Sequence, residues 1–272
     1  MNSRTLILVL FALVPALSAT AQTPDDPTSP AASNAPTDQA QPPPAAVGQD
    51  LAKPTRGFAS ALGHNLVDDV KHIPRRNSLY WLGGGVGLAL AVHPIDKKLN
   101  AHLVGHSNPF VAGEVIGEMP TILGAGAASY VLGRMNGWTR AQHLGMDEIE
   151  ATLLAQGIVM GGKAIVRRDR PLLADGTKQA GYSMPSGHAT MTFAAATVLQ
   201  QHLGYRAGIP TYLVASYVAM SRLHDNRHYA SDVVMGAATG IIIGRSVTWH
   251  GRNFYASPQL VPGGVQIALL TK

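Results

Sequence analysis

The chain has no cysteine, few charged residues and few aromatic residues. The absence of cysteine in 272 residues excludes disulfides and thiolate metal sites. Charged residues make up 14% and hydrophobic residues 46% of the chain, so we expect a folded part rich in buried surface. No run of Lys and Arg interleaves with aromatic residues, and we expect no nucleic-acid partner. The net charge of +5 favours an anionic substrate or an anionic membrane surface.

The first 50 residues predict export rather than a folded domain. Residues 1–21 combine a short basic start, an apolar core and the small-x-small sequence Ala19-Thr20-Ala21, which predicts a cleavable signal peptide. An uncleaved membrane anchor is the alternative. Residues 22–50 are rich in Pro and Ala and have almost no large apolar residue, so we predict a disordered linker. The predicted location is the periplasm or cell envelope.

From residue 51 to residue 250 the pattern predicts one all-α domain. Phe58 and Leu62 begin a four-residue apolar repeat, and we expect Asp68 and Asp69 on the solvated face of that helix. Apolar segments bounded by Gly, Pro or charged residues predict further helices at residues 79–92, 111–132, 146–166, 188–203, 207–220 and 232–247. We predict a bundle with six core helices. Residues 251–272 predict a short β-hairpin or a tail.

Most of these apolar segments are shorter than the roughly 20 residues that a membrane-spanning helix needs. We therefore favour a soluble or membrane-associated bundle outside the cytoplasm, with an integral membrane protein as the alternative. The oligomeric state is left open by the sequence.

Three polar clusters interrupt the apolar sequence between residues 163 and 232. The first is Lys163, six residues, then Arg170-Pro171; the second is Pro185-Ser186-Gly187-His188; the third is Ser221-Arg222, five residues, His228, three residues and Asp232. Each cluster lies at the end or the start of a predicted helix. Because antiparallel helices with short connections bring alternate ends together, we expect all three clusters at one end of the bundle.

The first two clusters and Arg222 predict an anion site. Lys163, Arg170 and Arg222 supply fixed positive charge, and guanidinium groups match phosphate with paired donors. Ser186 and the amides of Gly187 and His188 lie at a predicted helix N-terminus, which favours an anion. With three cations, a metal is not required to neutralise a phosphoryl group, and we predict neither a metal nor a cofactor.

The two histidines predict group transfer at phosphorus. His228 and Asp232 are four residues apart, so a helix places them on one face, and a carboxylate on one ring nitrogen leaves the other as a nucleophile. His188 then protonates the leaving alkoxide and later activates water. The expected reaction is in-line displacement through a phosphohistidine, followed by hydrolysis.

Together the clusters resemble the three-part signature of the type 2 phosphatidic acid phosphatase (PAP2) superfamily, which includes lipid phosphatases, acid phosphatases and vanadium haloperoxidases. The resemblance implies an all-α bundle of that type, phosphate binding by Lys163, Arg170, Ser186, Gly187 and Arg222, and catalysis by His188, His228 and Asp232. It implies a substrate that is a phosphomonoester, a lipid phosphate or a lipid diphosphate. The alternatives are a haloperoxidase, in which His228 would bind vanadate, and a non-catalytic envelope binding protein.

Further charged and histidine residues lie outside the three signature motifs, and we assign none of them to phosphate binding or catalysis. Arg227 precedes the predicted nucleophile where the family commonly has a small apolar residue, and Arg167 and Arg168 add charge inside the first spacer, so we expect these three arginines to affect substrate choice. We interpret Glu114 and Glu118 as a core or exposed pair, His224 and Asp225 as spacer residues, and His93, His102 and His106 as loop residues without a metal spacing.

Overall fold

The computed structural model describes residues 58–105, 109–248, 255–261 and 264–270, and most of these residues are helical. In chain order the helices are α1 Phe58–His72, α2 Arg76–Val92, α3 Asp96–Leu103, α4 Val111–Ile116, α5 Met119–Asn136, α6 Thr139–Val166, α7 Gly187–Leu203, α8 Tyr205–His224 and α9 Ala230–Val247. A 3-10 turn, His93–Ile95, joins α2 to α3. Strands β1 Tyr255–Val261 and β2 Gly264–Leu270 pair antiparallel in the segment for which we predicted a hairpin or a tail.

The helical domain confirms the all-α prediction, whereas the predicted count of six core helices is not confirmed. The predicted signal peptide, residues 1–21, and linker, residues 22–50, lie outside the described residues. The domain boundaries drawn from the sequence stay a prediction.

Close contact between α9 and α7 forms the centre of the domain. A Cβ added at Gly240 would lie 2.3 Å from the Thr190 carbonyl oxygen, and one added at Gly244 would lie 2.6 Å from the Ala194 carbonyl oxygen. Glycine therefore lets the two backbones approach to a distance that a larger residue would prevent. The buried apolar cluster around this contact takes side chains from α5, α6, α7 and α9: Ile122, Ala151, Leu154, Ala155, Met191, Ala194, Val198, Ile243 and Val247.

The structure corrects the predicted helix over residues 111–132. The segment is divided into α4 and α5, and Pro120 lies in the first turn of α5. Proline lacks an N–H and has a fixed φ, so it suits the first turn of a helix and interrupts the interior of one. The structure also adds α3, which contains His102, in a segment that we expected to be a loop.

The prediction that Asp69 is solvated is wrong. Asp69 is fully buried, whereas Val70, which continues the predicted four-residue apolar repeat from Phe58 and Leu62, is 53% exposed. The reason is tertiary: α6 presents the buried Glu150, which accepts a hydrogen bond from Asn65 Nδ2 at 2.7 Å and interacts with the Asp69 carboxyl. A polar partner on the neighbouring helix therefore rotates α1 away from the orientation that its apolar repeat predicts.

Three helical segments are long and apolar enough to cross a membrane: Arg76–Leu103, Thr139–Val166 and Ala230–Val247. The sequence underestimated them because α6 continues for 28 residues and because α2 joins α3 through the 3-10 turn with little interruption. Large apolar side chains on α2 are also exposed, among them Leu79, Tyr80 and Leu90. These features favour the integral membrane alternative over a soluble bundle.

Candidate active site

The three predicted clusters lie where helix ends meet. Lys163 is in the last turn of α6, Ser186 is the N-cap residue of α7, Arg222 is in the last turn of α8, and Asp232 is in the first turn of α9. Helices α6 and α7 pack against each other, as do α7 and α9. The alternation of helix direction that the sequence predicted thus gathers these residues at one end of the domain.

The loop from α6 to α7 is held by backbone and side-chain hydrogen bonds. The Ser183 N–H donates to the Arg168 carbonyl at 2.7 Å, which folds the loop back on itself. The Gln179 side-chain amide donates to the Pro171 carbonyl at 2.8 Å and to the Asn226 carbonyl at 2.6 Å, so this loop is bound to the loop between α8 and α9. The two loops that carry the predicted chemistry are therefore fixed to each other.

The turn before α7 is fixed against α9. The Ser186 N–H donates to the Asp232 carbonyl at 3.1 Å, and a Cβ added at Gly236 would lie 2.7 Å from the Ser186 carbonyl oxygen. A Cβ added at Gly187 would meet only Val159 Cγ1, at an ordinary contact distance of 3.6 Å. Packing within the described residues therefore accounts for the glycine at position 236 but not for the one at position 187, as expected where a ligand approaches the backbone.

The charges of the predicted phosphate-binding cations act on both histidines. Burial first, and then the charge of Arg222, lower the pKa of His188 to about 4, with smaller effects from Lys163 and Arg170. Burial, and then the charges of Lys163 and Arg170, lower the pKa of His228 well below its usual range. Both imidazoles are therefore neutral at pH 7, the form in which a ring nitrogen has a free lone pair.

Three polar atoms of this cluster are buried and have no hydrogen-bond partner among the residues that the structure describes: Arg170 Nε, Ser186 Oγ and His188 Nε2. Burying such groups without a partner costs free energy, so native structures rarely keep several of them together without a reason. All three belong to residues that the sequence predicted to bind or to process phosphate. A phosphoryl group would accept hydrogen bonds from the arginine and the serine.

The contact between His228 and Asp232 differs from the one that the sequence predicted. His228 Nδ1 and Asp232 Oδ2 are 3.9 Å apart, which is too long for a hydrogen bond. The Ser183 hydroxyl lies between them, 2.5 Å from Asp232 Oδ2 and 3.4 Å from His228 Nδ1. All three side chains are buried. The carboxylate therefore lies near the histidine but does not contact it directly.

The sequence analysis missed that Arg168 binds Asp232 and that Asp96 in turn binds Arg168. Arg168 donates to Asp232 Oδ1 and to Asp96 Oδ2, each at 2.7 Å, and its guanidinium carbon lies 4.2 Å from the centroid of the Tyr229 ring. Asp96 also accepts hydrogen bonds from the backbone N–H and the hydroxyl of Ser231. Arg168 thus binds two buried carboxylates, whereas we had expected it to affect substrate choice. No local pattern links Asp96 to this site.

Arg222 has acidic neighbours that the sequence analysis had set aside. Its NH2 group donates to Asp225 Oδ2 at 2.9 Å, and its NH1 group lies 3.9 Å from Glu114 Oε1. Asp225 therefore contacts a predicted phosphate-binding residue directly. His224 packs against the Phe110 ring, with the ring centroids 5.1 Å apart, and its Nδ1 lies 3.4 Å from Asp225 Oδ1. The charge of Glu118 also acts on Arg222, whereas His106 lies outside the described residues.

The family model of the PAP2 superfamily matches residues 147–255. This part of the chain belongs to the PAP2 superfamily. The match begins inside α6 and contains all three clusters, whereas Asp96 lies outside it. The roles that we assign to the individual PAP2 signature residues in this chain stay predictions.

Curated relatives of the chain are phosphatases. It is 38% identical over 129 residues to a lipid A 1-phosphatase of Porphyromonas gingivalis, covering 46% of this chain and 27% of the relative. It is 42% identical over 87 residues to a decaprenylphosphoryl-5-phosphoribose phosphatase of Mycolicibacterium smegmatis, covering 30% of this chain and 47% of the relative. The chain thus spans about half or less of the length of these two relatives.

Solved PAP2 structures also align with the chain. A transmembrane PAP2-type phosphatidylglycerolphosphate phosphatase from Bacillus subtilis aligns with a TM-score of 0.46 and 21% identity, covering 64% of this chain and 95% of that chain. Aquifex aeolicus LpxE aligns with the same TM-score and identity, covering 57% of this chain and 96% of that chain.

Proposed function

We propose that this protein is a metal-independent phosphatase that hydrolyses lipid phosphates or diphosphates, or smaller phosphomonoesters, through a phosphohistidine. The observation that carries the proposal is the set of three buried, unpartnered polar atoms, on Arg170, Ser186 and His188, next to two neutral histidines. The named activities of the curated relatives, each a phosphatase of a lipid-linked phosphate, support the same reaction class.

In the proposed first step, a ring nitrogen of His228 attacks phosphorus while the P–O bond to the leaving group breaks. Lys163, Arg170 and Arg222 stabilise the charge on the transferring phosphoryl group, together with the N–H groups at the start of α7. The leaving alkoxide takes its proton from His188. The negative charge of the bound substrate offsets the neighbouring cations, which raises the pKa of His188 and lets it carry that proton.

In the second step, water attacks the phosphorus of the phosphohistidine and the P–N bond breaks. His188, now neutral, accepts the proton of the attacking water, which returns it to the state that it needs for the next cycle. Inorganic phosphate leaves with its charge balanced by the three cations. The proposal uses no metal or cofactor, because these cations supply the neutralising charge.

Among these substrates, one that carries a lipid chain is favoured because the site lies at the ends of apolar helices. Lys163 and Asp232 each lie near one end of a segment long enough to span a membrane, so a headgroup at the membrane surface would reach them. Exposed Leu172, Leu173 and Tyr182 in the loop between α6 and α7 supply an apolar surface beside the site. We further propose that the site faces the periplasm, in agreement with the signal peptide that the sequence of residues 1–21 predicts.

The test is phosphate release by the purified full chain in detergent. The substrates are para-nitrophenyl phosphate, phosphatidate and an isoprenyl diphosphate, each assayed with and without EDTA or vanadate. We expect turnover of at least one lipid substrate, inhibition by vanadate, no effect of EDTA, and loss of turnover in His228→Ala but not in the exposed control His93→Ala.

Turnover that survives His228→Ala would refute the phosphohistidine mechanism, and EDTA-sensitive turnover would refute the metal-independent one. Binding of phosphate without turnover of any substrate would favour the non-catalytic binding protein. Vanadate-dependent oxidation of halide would favour the haloperoxidase.

A further inference from the structure

The Ser183 hydroxyl lies between the proposed nucleophile and its carboxylate. Ser183 is fully buried, as is Asp232, and His228 is 4% exposed, so solvent does not compete for these hydrogen bonds. The distance from Ser183 Oγ to Asp232 Oδ2 is 2.5 Å, and the distance from Ser183 Oγ to His228 Nδ1 is 3.4 Å. The direct approach of Nδ1 to the carboxylate, at 3.9 Å, is longer than either.

The other contacts of Asp232 leave its carboxylate fixed in orientation. Oδ1 accepts from Arg168 NH1 at 2.7 Å, and Oδ2 accepts from the Tyr229 N–H at 2.9 Å as well as from Ser183. Arg168 is itself held by Asp96 on the opposite side. These donors stabilise the charged form of the carboxylate and direct Oδ2 towards Ser183.

Because the Ser183 hydroxyl has a single proton, its hydrogen bonds determine the tautomer of His228. A hydroxyl has one proton to donate, and the short contact to an ionised carboxylate, which only accepts, must use it. The Ser183 oxygen therefore faces His228 Nδ1 as an acceptor, and Nδ1 must carry the donated N–H.

We propose that Ser183 is a positioning residue that couples Asp232 to His228, holding the proton of His228 on Nδ1 and leaving Nε2 as the nucleophilic nitrogen. No proton is transferred in this arrangement: Nδ1–H donates to Ser183 Oγ, and Ser183 O–H donates to Asp232 Oδ2. Asp96 and Arg168 act one step further out by keeping the carboxylate in place. The catalytic consequence rests on the proposed function, whereas the tautomer does not.

The first test is a tautomer measurement that needs no turnover. Histidine labelled with 15N is incorporated into the full chain, and the His228 signals are assigned by their loss in His228→Ala. We expect a protonated Nδ1 and an unprotonated Nε2 in the wild type at pH 7, and a mixture of tautomers in Ser183→Ala. An unchanged His228 spectrum in Ser183→Ala, or an Nδ1 without a proton in the wild type, overturns the proposal.

The second test separates kcat from KM. Because a hydrogen bond that orients a reacting group through a second residue commonly contributes 10- to 100-fold, we expect Ser183→Ala to lower kcat about 10- to 100-fold with KM nearly unchanged. Ser246→Ala is the matched control, since Ser246 is also buried but bonds only the Ile242 carbonyl of its own helix. We expect this control to keep the wild-type kcat.

The outcomes distinguish the coupling from the proposed function. A wild type without turnover refutes the proposed function, and the 15N spectra still decide the tautomer. An active wild type that His228→Ala inactivates, with Ser183→Ala unchanged in kcat, supports the function and overturns the coupling. If Ser183→Ala does not fold, Ser183→Cys replaces it, because a thiol has nearly the same volume and is a much weaker hydrogen-bond partner.

Discussion

Acidification should destabilise the fold through His188. Its pKa falls from 6.5 to about 4 on folding, chiefly through burial and then through the charge of Arg222. Below pH 6.5 the unfolded chain binds a proton at this position while the folded chain does not, so stability falls as the pH decreases from 6.5 to about 4. The two pKa values correspond to about 3 kcal/mol, which is present in full above pH 6.5 and lost near pH 4.

The assay compares the wild type with His188→Gln at pH 7.5 and at pH 4. Glutamine does not titrate, so the stability advantage of the wild type over the variant should shrink by about 3 kcal/mol at the lower pH, or about 6–12 °C in Tm for a domain of this size. His228 is present in both proteins, and the smaller effect of the His188 charge on the pKa of His228 acts in the same direction. The control is His93→Gln, at an exposed histidine outside the site. A stability difference between wild type and His188→Gln that is the same at both pH values would refute this account of the site.

Three further predictions concern the packing at Gly236, the carboxylate of Asp96 and the charge of Arg227. Gly236→Ala should place a methyl group against the Ser186 carbonyl oxygen and lower both activity and the free energy of unfolding, the latter by about 1–3 kcal/mol; Gly63→Ala, which has open space around the added Cβ, is the matched control for a denaturation series. Asp96→Asn should lower the free energy of unfolding by about 1–3 kcal/mol, because it removes one of the two carboxylates that pair with the partly buried Arg168 guanidinium, and unchanged chemical denaturation would contradict the ion-pair network. Arg227→Gln should raise KM more for a diphosphate than for a monophosphate, because the Arg227 charge acts on Arg170 and Arg222; equal KM changes in a steady-state assay would exclude a role in diphosphate binding.

Helix type and the approximate position of most helices follow from the apolar pattern, because burial of one helix face is encoded locally. The errors occur where a tertiary partner or a single proline intervenes. Asp69 is buried because Glu150 lies on the facing helix, and the segment over residues 111–132 is interrupted because Pro120 starts a new helix. The length of α6 was underestimated because the helix already begins at Thr139 and continues through Arg140 and past Gly145, where the sequence indicated a loop.

The sequence predicts the signature residues because the chemistry of phosphate requires particular residue types at a particular spacing, and their roles stay predictions. Lys163, Arg170 and Arg222 must be cationic, and His188 and His228 must have a nitrogen lone pair, wherever the chain places them. The structure adds what spacing does not contain. It shows that Asp232 accepts a hydrogen bond from the Ser183 hydroxyl and does not contact His228 directly. It also shows that Arg168 donates hydrogen bonds to Asp232 and Asp96.

The sequence by itself determined the residue types of the anion site, the order of the helices that carry it and the resemblance to one superfamily. These properties are local: a run of a few residues carries each of them. Only the tertiary structure decided which carboxylates serve the site, which arginine is structural, and that both histidines are neutral. Those properties depend on contacts between residues as far apart as Asp96 and Ser231, and on burial, which is created only when the helices pack.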